Sequence, residues 1–159
     1  MYARDQASTA TPIGIVTVTA IGDRIESVRI DGTRVSRGTS TLARAAIDQI
    51  GAWFAGERTD FNLMLVPPST DRGEELRQGL IAVGYGETVS YGTLARQLGS
   101  SPRAIGQLCA RNPYPIIVPC HRVLGAGGVL GAYSAGDGAA TKAWLLAHEQ
   151  RHRPFALTA

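Results

Sequence analysis

The stretch SYGTLARQLGSSPRAIGQLCAR, residues 90–111, carries the clearest structural signal in this chain. Ser90 is a suitable N-cap for a helix over residues 91–98, because its hydroxyl can accept from the first free backbone amides. Gly99 follows this helix and can adopt the left-handed conformation that commonly ends one. The stretch therefore begins with a short, capped helix and a tight turn.

A second helix is predicted directly after the turn. Ser101 supplies another N-cap, and Pro102 suits the first helical position, where no amide donor is needed. We expect this helix to end at Arg111, because the Asn112-Pro113 pair disfavours continuation. Two helices joined by a glycine-containing turn are typical of the helix-turn-helix motif.

The second helix of the motif has two contrasting faces. Ile105, Leu108 and Cys109 recur at helical spacing and are predicted to face the core. The opposite face carries small or polar residues, namely Arg103, Ala104, Gly106, Gln107 and Ala110. Gly106 in mid-helix costs about 1 kcal/mol relative to alanine. Two interpretations stay open: another molecule's backbone approaches Gly106 closely, or the glycine packs against a strand of this protein.

The region before the motif has an α/β pattern. Residues 13–18 and 25–30 are β-rich, and Gly22-Asp23 between them predicts a hairpin. A helix is expected over residues 41–55, followed by a short strand over residues 61–66. Nothing in this region suggests chemistry, so we interpret it as a scaffold.

The region from residue 71 onwards is mainly helical in pattern. Asp71 with Glu74 resembles a capping box that opens a helix, and a last helix is expected over residues 139–149. We therefore predict two domains: a small α/β scaffold at residues 1–70, and a helix-turn-helix domain at residues 71–159.

Composition restricts the class of protein. Hydrophobic residues make up 44% and charged residues 18% of the 159 residues, which favours a packed core over disorder. No apolar run approaches the ~20 residues that cross a bilayer. The polar N-terminus does not resemble a signal peptide, so we expect a cytoplasmic protein without membrane contact. Two cysteines and no Cys-x-x-Cys pair argue against a disulfide framework and against a metal site.

Charge is distributed unevenly along the chain. Residues 1–71 contain 7 arginines and 8 acidic residues, whereas residues 72–159 contain 8 arginines, one lysine and 5 acidic residues. A basic second half suits a polyanion such as DNA, although such a charge also occurs on proteins that never bind nucleic acid.

The segment richest in candidate catalytic residues is NPYPIIVPCHRV, residues 112–123. Residues 116–118 are apolar and predicted to be buried, so the Cys120-His121 pair is expected to emerge from the core. A free thiol with a pKa of about 8.5 is mostly protonated at neutral pH, and a nearby imidazole commonly serves as the base that deprotonates it. Because successive side chains of an extended segment point to opposite faces, His121 would reach Cys120 only across a turn or through one water.

This sequence resembles the O6-alkylguanine-DNA alkyltransferases, also called methylated-DNA–protein-cysteine methyltransferases. The similarity runs from about residue 84 to residue 149. It consists of six ordered motifs: YGETVSY at 85–91, PRA at 102–104, RNP at 111–113, PCHRV at 119–123, GAYS at 131–134 and WLLAHE at 144–149. The resemblance implies a ribonuclease-H-like N-terminal domain and a winged-helix-like C-terminal domain that contains the helix-turn-helix.

The resemblance also implies a set of catalytic and substrate-binding residues. Cys120 would accept the alkyl group, His121 would act as its base through a bridging water, and Glu149 would orient that imidazole. Asn112 would hold the turn that carries the cysteine. The implied contacts to an extruded guanine come from Tyr91, whose hydroxyl would protonate the departing base, and from Val123, Tyr133 and Ser134.

A DNA interface on the helix-turn-helix is likewise implied. Arg103 would enter the base stack where the guanine has left, and Ala104 and Gly106 would lie against the minor groove. Ser90 and Arg111 complete the implied DNA-binding set. Small residues suit a shallow groove contact that tolerates any sequence context. The expected partner is double-stranded DNA carrying O6-alkylguanine, with O4-alkylthymine as a further substrate.

Transfer of the alkyl group would leave a thioether on Cys120, which no residue here could easily reverse. We therefore expect a single-turnover reaction by a monomer, without a cofactor. An alternative is a non-enzymatic damage-binding protein that flips alkylguanine and recruits other repair factors, but such relatives carry another residue at the cysteine position. A plain DNA-binding regulatory domain would leave the co-occurrence of Cys120, His121, Asn112 and Glu149 unexplained. A cysteine hydrolase is disfavoured because nothing suggests an oxyanion hole.

Three further residues receive structural interpretations. Arg122 is expected to form an ion pair, Lys142 to be a solvated charge, and Cys109 to belong to the core. The loop at residues 135–138 is two residues longer than the resemblance leads us to expect, and it borders the implied alkyl pocket.

Overall fold

The computed structural model describes residues 3–153. The chain begins with a three-stranded antiparallel sheet in sequential order, made of β1 (Arg4–Thr11), β2 (Gly14–Ile21) and β3 (Arg24–Gly32). One helix, α1 (Thr41–Phe54), covers this sheet. This helix confirms the one expected over residues 41–55, and its buried side is formed by Ala43, Ala46, Ile50 and Trp53.

The structure confirms the hairpin at Gly22-Asp23 and corrects two other expectations for the first half. Strand β1 was not predicted, because its sequence is polar and only Ala7 and Ser8 are buried. The strand expected over residues 61–66 is wrong. Only Leu65 forms an isolated bridge there, in parallel with Ile25, so most of this segment is extended without a ladder.

Up to residue 153, the second half contributes four α-helices: α2 (Asp71–Ile81), α3 (Tyr91–Leu98), α4 (Pro102–Ala110) and α5 (Ala139–Arg151). The predicted caps of the motif are confirmed. Ser90 accepts from the Thr93 amide, Gly99 has φ 62° and Ser101 accepts from the Ala104 amide. The capping box at Asp71 is wrong by one residue, since the N-cap of α2 is Thr70, which accepts from the Gly73 amide at 3.0 Å.

A two-stranded parallel pairing brings the motif to the reactive segment. Strand β4 (Val89–Ser90) immediately precedes α3, and it pairs with β5 (Val123–Leu124), which immediately follows the Cys-His-Arg sequence. The start of α3 therefore lies beside the segment that carries Cys120.

Backbone and side-chain hydrogen bonds join the two halves. The Val28 amide donates to the Pro113 carbonyl at 2.8 Å, and the Tyr114 hydroxyl donates to the Ile25 carbonyl at 3.0 Å. Buried apolar side chains from both halves form one continuous cluster. The sheet thus supports the back of the segment that leads to Cys120.

Within residues 3–153, no helix has the length and apolar character that a membrane crossing requires.

Candidate active site

Cys120 begins a short 3-10 turn, Cys120–Arg122, directly after a buried apolar run. Ile116, Ile117 and Val118 are all buried, as the sequence predicts. Ile116 has φ 77°, a left-handed conformation that is unusual for a β-branched residue. Such strain persists only where the surrounding packing over-determines the backbone. The nucleophile therefore stands on a rigid support.

Asn112 fixes the segment that carries the thiol. Its Nδ2 donates to the Val118 carbonyl at 3.0 Å and to the Cys120 Sγ at 3.2 Å. Its Oδ1 accepts from the Tyr114 amide at 2.9 Å. One side-chain amide thus connects both ends of the buried run to the sulfur.

A second group of residues, which we call the Glu149 network, consists of Gly86, His121, Arg122 and Glu149. The His121 Nε2 lies 2.7 Å from the Glu149 Oε2, and both side chains are fully buried. The Arg122 guanidinium donates to the same carboxylate at 2.8–3.1 Å, which confirms the expected ion pair. The Gly86 amide donates to the Glu149 Oε1 at 3.0 Å.

The network determines which nitrogen of His121 carries a proton. Burial alone would raise the pKa of Glu149, but the hydrogen bonds and charges of His121 and Arg122 outweigh burial and hold that pKa at about 2. The ionised carboxylate only accepts, so the Nε2 must donate. Burial lowers the pKa of His121 against the opposing pull of Glu149, which favours the neutral ring. The Nδ1 then keeps its lone pair, and this buried atom has no hydrogen-bond partner among the described residues.

A small cavity of about 150 Å³, which we call the Cys120 cavity, opens between α4 and the segment around Tyr133. It is lined by Tyr91, Gly106, Cys109, Ala110, Cys120, Ala132, Tyr133 and Ser134. Five residues that were predicted for the site or the DNA interface therefore share one cavity. The Tyr133 hydroxyl is buried without a hydrogen-bond partner in the described part of the chain. A bound polar ligand could satisfy it.

The two thiols in this cavity are not equivalent. The pKa of Cys120 is lowered, chiefly by a hydrogen bond from Cys109 and also by Asn112 and the charge of Lys142, all of which oppose the effect of burial. The pKa of Cys109 is raised by the same hydrogen bond and by burial. Of the two thiols, Cys120 is the one that accepts from Asn112, so the site favours ionisation of Cys120, while Cys109, predicted as a core residue, is buried in the wall of the same cavity.

Lys142 is the functional candidate that sequence reasoning missed, and the prediction of a solvated charge is wrong. Its side chain is fully buried, and its Nζ donates to the Val123 carbonyl at 2.7 Å. The carbonyl of Val123, a residue assigned above to the substrate, thus already accepts one hydrogen bond from an ammonium and has one lone pair left for a ligand. One signal was present in the sequence: Lys142 is the only lysine, and the other 15 basic residues are arginines.

The outer face of α4 is open at Gly106. A Cβ built there would meet nothing within 4 Å, so packing against a strand of this protein does not explain this glycine. Ala104 is half-buried, whereas Arg103 and Arg111 are exposed and do not line the Cys120 cavity. The Ser90 hydroxyl is already engaged as the cap of α3, where it accepts from the Thr93 amide at 3.0 Å. In residues 3–153, no three His, Cys, Asp or Glu side chains are grouped as a metal site requires.

The fold and the site define a helix-turn-helix protein with an activated, buried cysteine beside the second helix of the motif. The family described as 6-O-methylguanine DNA methyltransferase, DNA binding domain, matches residues 73–151. A methylated-DNA–protein-cysteine methyltransferase from Mycolicibacterium paratuberculosis is 40% identical in an alignment of 156 positions that covers 93% of each chain. This chain therefore belongs to the methylated-DNA–protein-cysteine methyltransferase family.

Solved structures agree in fold. The crystal structure of the Mycobacterium tuberculosis O6-methylguanine methyltransferase has a TM-score of 0.81 at 34% identity and covers 98% of both chains. A crystal structure of the M. tuberculosis protein in complex with DNA has a TM-score of 0.78 at 36% identity, over 94% of both chains. A relative from Thermus thermophilus, named a DNA base-flipping protein, is 41% identical over 110 residues, or 68% of this chain and 74% of that protein.

Proposed function

We propose that this protein repairs DNA by moving an alkyl group from the O6 atom of guanine to the Sγ of its own Cys120. The observation that carries the proposal is the position of that thiol. It is hydrogen-bonded by Asn112, has a lowered pKa and lines a small cavity next to α4. The curated relatives named as methylated-DNA–protein-cysteine methyltransferases support the same reaction.

The chemistry follows from the unpaired nitrogen of His121. Its Nδ1 takes the thiol proton through one bridging water, while Glu149 holds the opposite side of the ring. The Sγ then attacks the alkyl carbon, the bond between that carbon and the guanine oxygen breaks, and Tyr91 protonates the departing base. A thioether forms on Cys120, so each molecule reacts once. Tyr133, Ser134 and the Val123 carbonyl position the guanine, and no cofactor takes part.

A guanine can enter the cavity only after it has left the duplex. In this proposal Ala104 and Gly106 lie against the minor groove, Arg103 fills the gap in the base stack, and Ser90 and Arg111 contact the backbone. The open space at Gly106 supports the close approach of another molecule. Extrusion costs less for a weakened base pair, which favours damaged guanine over intact guanine. The protein acts as a monomer, and O4-alkylthymine is a second substrate.

We further propose that the protein consists of two domains. The sheet with α1 corresponds to a ribonuclease-H-like domain at residues 1–70. The helices of residues 71–159 correspond to a winged-helix-like domain. In this division the first domain is a scaffold and the second carries all of the chemistry.

The test is the intact mass of the protein after it is mixed with duplex DNA that carries O6-methylguanine. We expect the mass of one methyl group per protein, located on Cys120 and absent from Cys120→Ser. Cys109→Ser is the matched control, because it removes the neighbouring thiol and should still take up one methyl group. An unchanged mass of the wild-type protein, or a methyl group on Cys109, would contradict the proposal.

A second candidate function is favoured by one observation, the T. thermophilus relative named a DNA base-flipping protein. In that case the protein would bind alkylated DNA and extrude the base without a chemical step. The same experiment separates the two functions, because binding to the damaged duplex would then occur without a change in mass.

A further inference from the structure

The only lysine of this chain is one of its most deeply buried side chains. Lys142 lies on α5 and has no exposed surface, although 15 arginines supply the other basic groups. A buried ammonium is costly unless it is paired and hydrogen-bonded. None of the ion pairs among residues 3–153 involves Lys142. A specific local feature must therefore compensate its charge.

The surroundings of the ammonium are three segments that line the Cys120 cavity. The Nζ donates to the Val123 carbonyl at 2.7 Å, directly after the turn that begins with Cys120. It also donates to the Ala132 carbonyl at 3.4 Å, in the opposite wall, and it lies 5.8 Å from the ring centroid of Tyr91. One charged atom thus connects the nucleophile segment, the opposite wall and α3.

The carbonyls satisfy hydrogen bonds of the ammonium but carry no full negative charge. The groups nearby that can become anionic are the two thiols of the cavity and the Tyr91 hydroxyl. Burial raises the pKa of Tyr91 and the two thiols raise it further, whereas the pKa of Cys120 is lowered, so Cys120 ionises before Tyr91. Burial lowers the pKa of Lys142, while Cys109 and Cys120 oppose this effect, and Lys142 in turn lowers the pKa of both thiols. The interaction is reciprocal, as electrostatic coupling between two sites must be.

We propose that Lys142 is a positioning residue of the alkyl acceptor, whose buried ammonium provides the counter-charge of the Cys120 thiolate and holds the Val123 and Ala132 carbonyls at the edge of the cavity. The inference rests on the proposed function, because only a reaction that consumes the thiolate gives this pair a purpose. Transfer of the alkyl group converts the anionic sulfur into a neutral thioether. The reaction therefore removes the partner of Lys142.

The first test measures ionisation of the thiol, not transfer. Thiolate absorbance is followed against pH in the wild-type protein, Lys142→Met and Lys142→Gln, each corrected with the same protein carrying Cys120→Ser. We expect both substitutions to raise the pKa of Cys120 by about one unit or more, the shift that one nearby opposite charge produces. Lys142→Gln is the more informative of the two variants, because the glutamine amide can still donate to the carbonyls but carries no charge.

Arg44→Met is the matched control, since Arg44 is an exposed cation on α1, far along the chain from the cavity. It should leave the titration of Cys120 unchanged. A folded Lys142→Gln protein with a wild-type titration would overturn the role as counter-charge. A shift of equal size in Arg44→Met would also overturn it, because the effect would then come from net charge alone.

The second test needs no substitution at Lys142 and so does not depend on whether those variants fold. Protein labelled with ¹⁵N-lysine contains a single Nζ signal. We expect this Nζ to titrate at lower pH in Cys120→Ser than in wild type, because the serine cannot become an anion. Equal titrations would overturn the inference. Neither test uses DNA, so the two proposals can fail separately. If Lys142 and Cys120 affect each other's titration but the protein takes up no methyl group from DNA, only the proposed function is contradicted. If the protein takes up a methyl group but the two titrations are independent, only the role of Lys142 is contradicted.

Discussion

The Glu149 network and the Cys120 cavity lie on either side of one short turn, and they differ in how their polar groups are satisfied. In the network, the carboxylate accepts from His121, Arg122 and the Gly86 amide. By contrast, the Nδ1 of His121, the residue after Cys120, and the hydroxyl of Tyr133 in the cavity wall are buried without partners among the described residues. The Glu149 carboxylate is fully engaged by its neighbours and has little left to offer a ligand, whereas the His121 Nδ1 and the Tyr133 hydroxyl are free to bind one. We therefore expect loss of the Glu149 carboxylate chiefly to reduce stability, and substitutions that act on the Cys120 thiol to change chemistry.

The largest effect is expected for Glu149→Gln. This change leaves the Arg122 guanidinium buried without its counter-charge, and removing one partner of a buried pair costs roughly 3–5 kcal/mol in the free energy of unfolding. Urea denaturation at pH 7 measures the loss. Glu57→Gln, a change at an exposed carboxylate, serves as the control and should leave the stability nearly unchanged.

The same variant has a defined pH dependence. The pKa of Glu149 is held at about 2 in the folded protein, below its ordinary value of 4.5. A depressed pKa contributes stability that is complete above 4.5 and is lost as the pH falls towards 2. The difference in stability between wild type and Glu149→Gln should therefore shrink across this window. A constant difference would mean that the carboxylate is not stabilised as an anion.

Substitutions at Asn112 test the hydrogen bond between its side chain and the Cys120 Sγ. Asn112→Ala removes the donor to the Cys120 Sγ, and a hydrogen bond to a charged group contributes about 1.5–3 kcal/mol. We expect the rate of methyl transfer to fall about 10- to 100-fold at neutral pH. Asn112→Asp keeps an oxygen for the Tyr114 amide but places a second anion beside the thiolate, so it should raise the pKa of Cys120 further. If Asn112→Asp transferred as fast as wild type, the contact with sulfur would have no chemical role.

Tyr114→Phe should affect stability without affecting chemistry. The Tyr114 hydroxyl donates to the Ile25 carbonyl at 3.0 Å and makes a longer contact of 3.3 Å with the Val66 carbonyl. Losing a buried hydrogen bond of this kind costs about 1 kcal/mol. Thermal denaturation measures that loss, and the rate of methyl transfer at a temperature well below the transition should equal that of wild type. A reduced rate would show that the sheet does more than support the reactive segment.

The smallest effect on the folded protein is expected for Gly106→Ala. A methyl group at this position meets nothing within 4 Å, and alanine favours a helix by about 1 kcal/mol over glycine. The free protein should therefore be as stable as wild type or slightly more stable. Binding to duplex DNA should weaken, while transfer from the free O6-methylguanine base stays unchanged. Equal losses on both substrates would place the effect in the cavity instead of at the DNA interface.

Local signals in the sequence predicted the helix-turn-helix well, because Ser90, Gly99, Ser101 and Pro102 each act on the backbone next to them. Strand β1 escaped prediction because its residues are polar, and residues 61–66 form no ladder because only Leu65 reaches a partner. The burial of Lys142 depends on three segments that are far apart in sequence, so no periodicity reveals it. The proximity of His121 to Glu149 came from the family resemblance, since no spacing rule connects residues 28 positions apart.

The strained backbone at Ile116 has a consequence for the newly made protein. Only complete packing holds a β-branched residue at φ 77°, and the same packing places Asn112 against the sulfur and Lys142 against the Val123 carbonyl. A nascent or partly opened chain therefore presents Cys120 as an ordinary, mostly protonated thiol. The thiol becomes strongly nucleophilic only in the completed tertiary structure. An incompletely folded molecule is therefore not inactivated by other electrophiles before it can bind DNA.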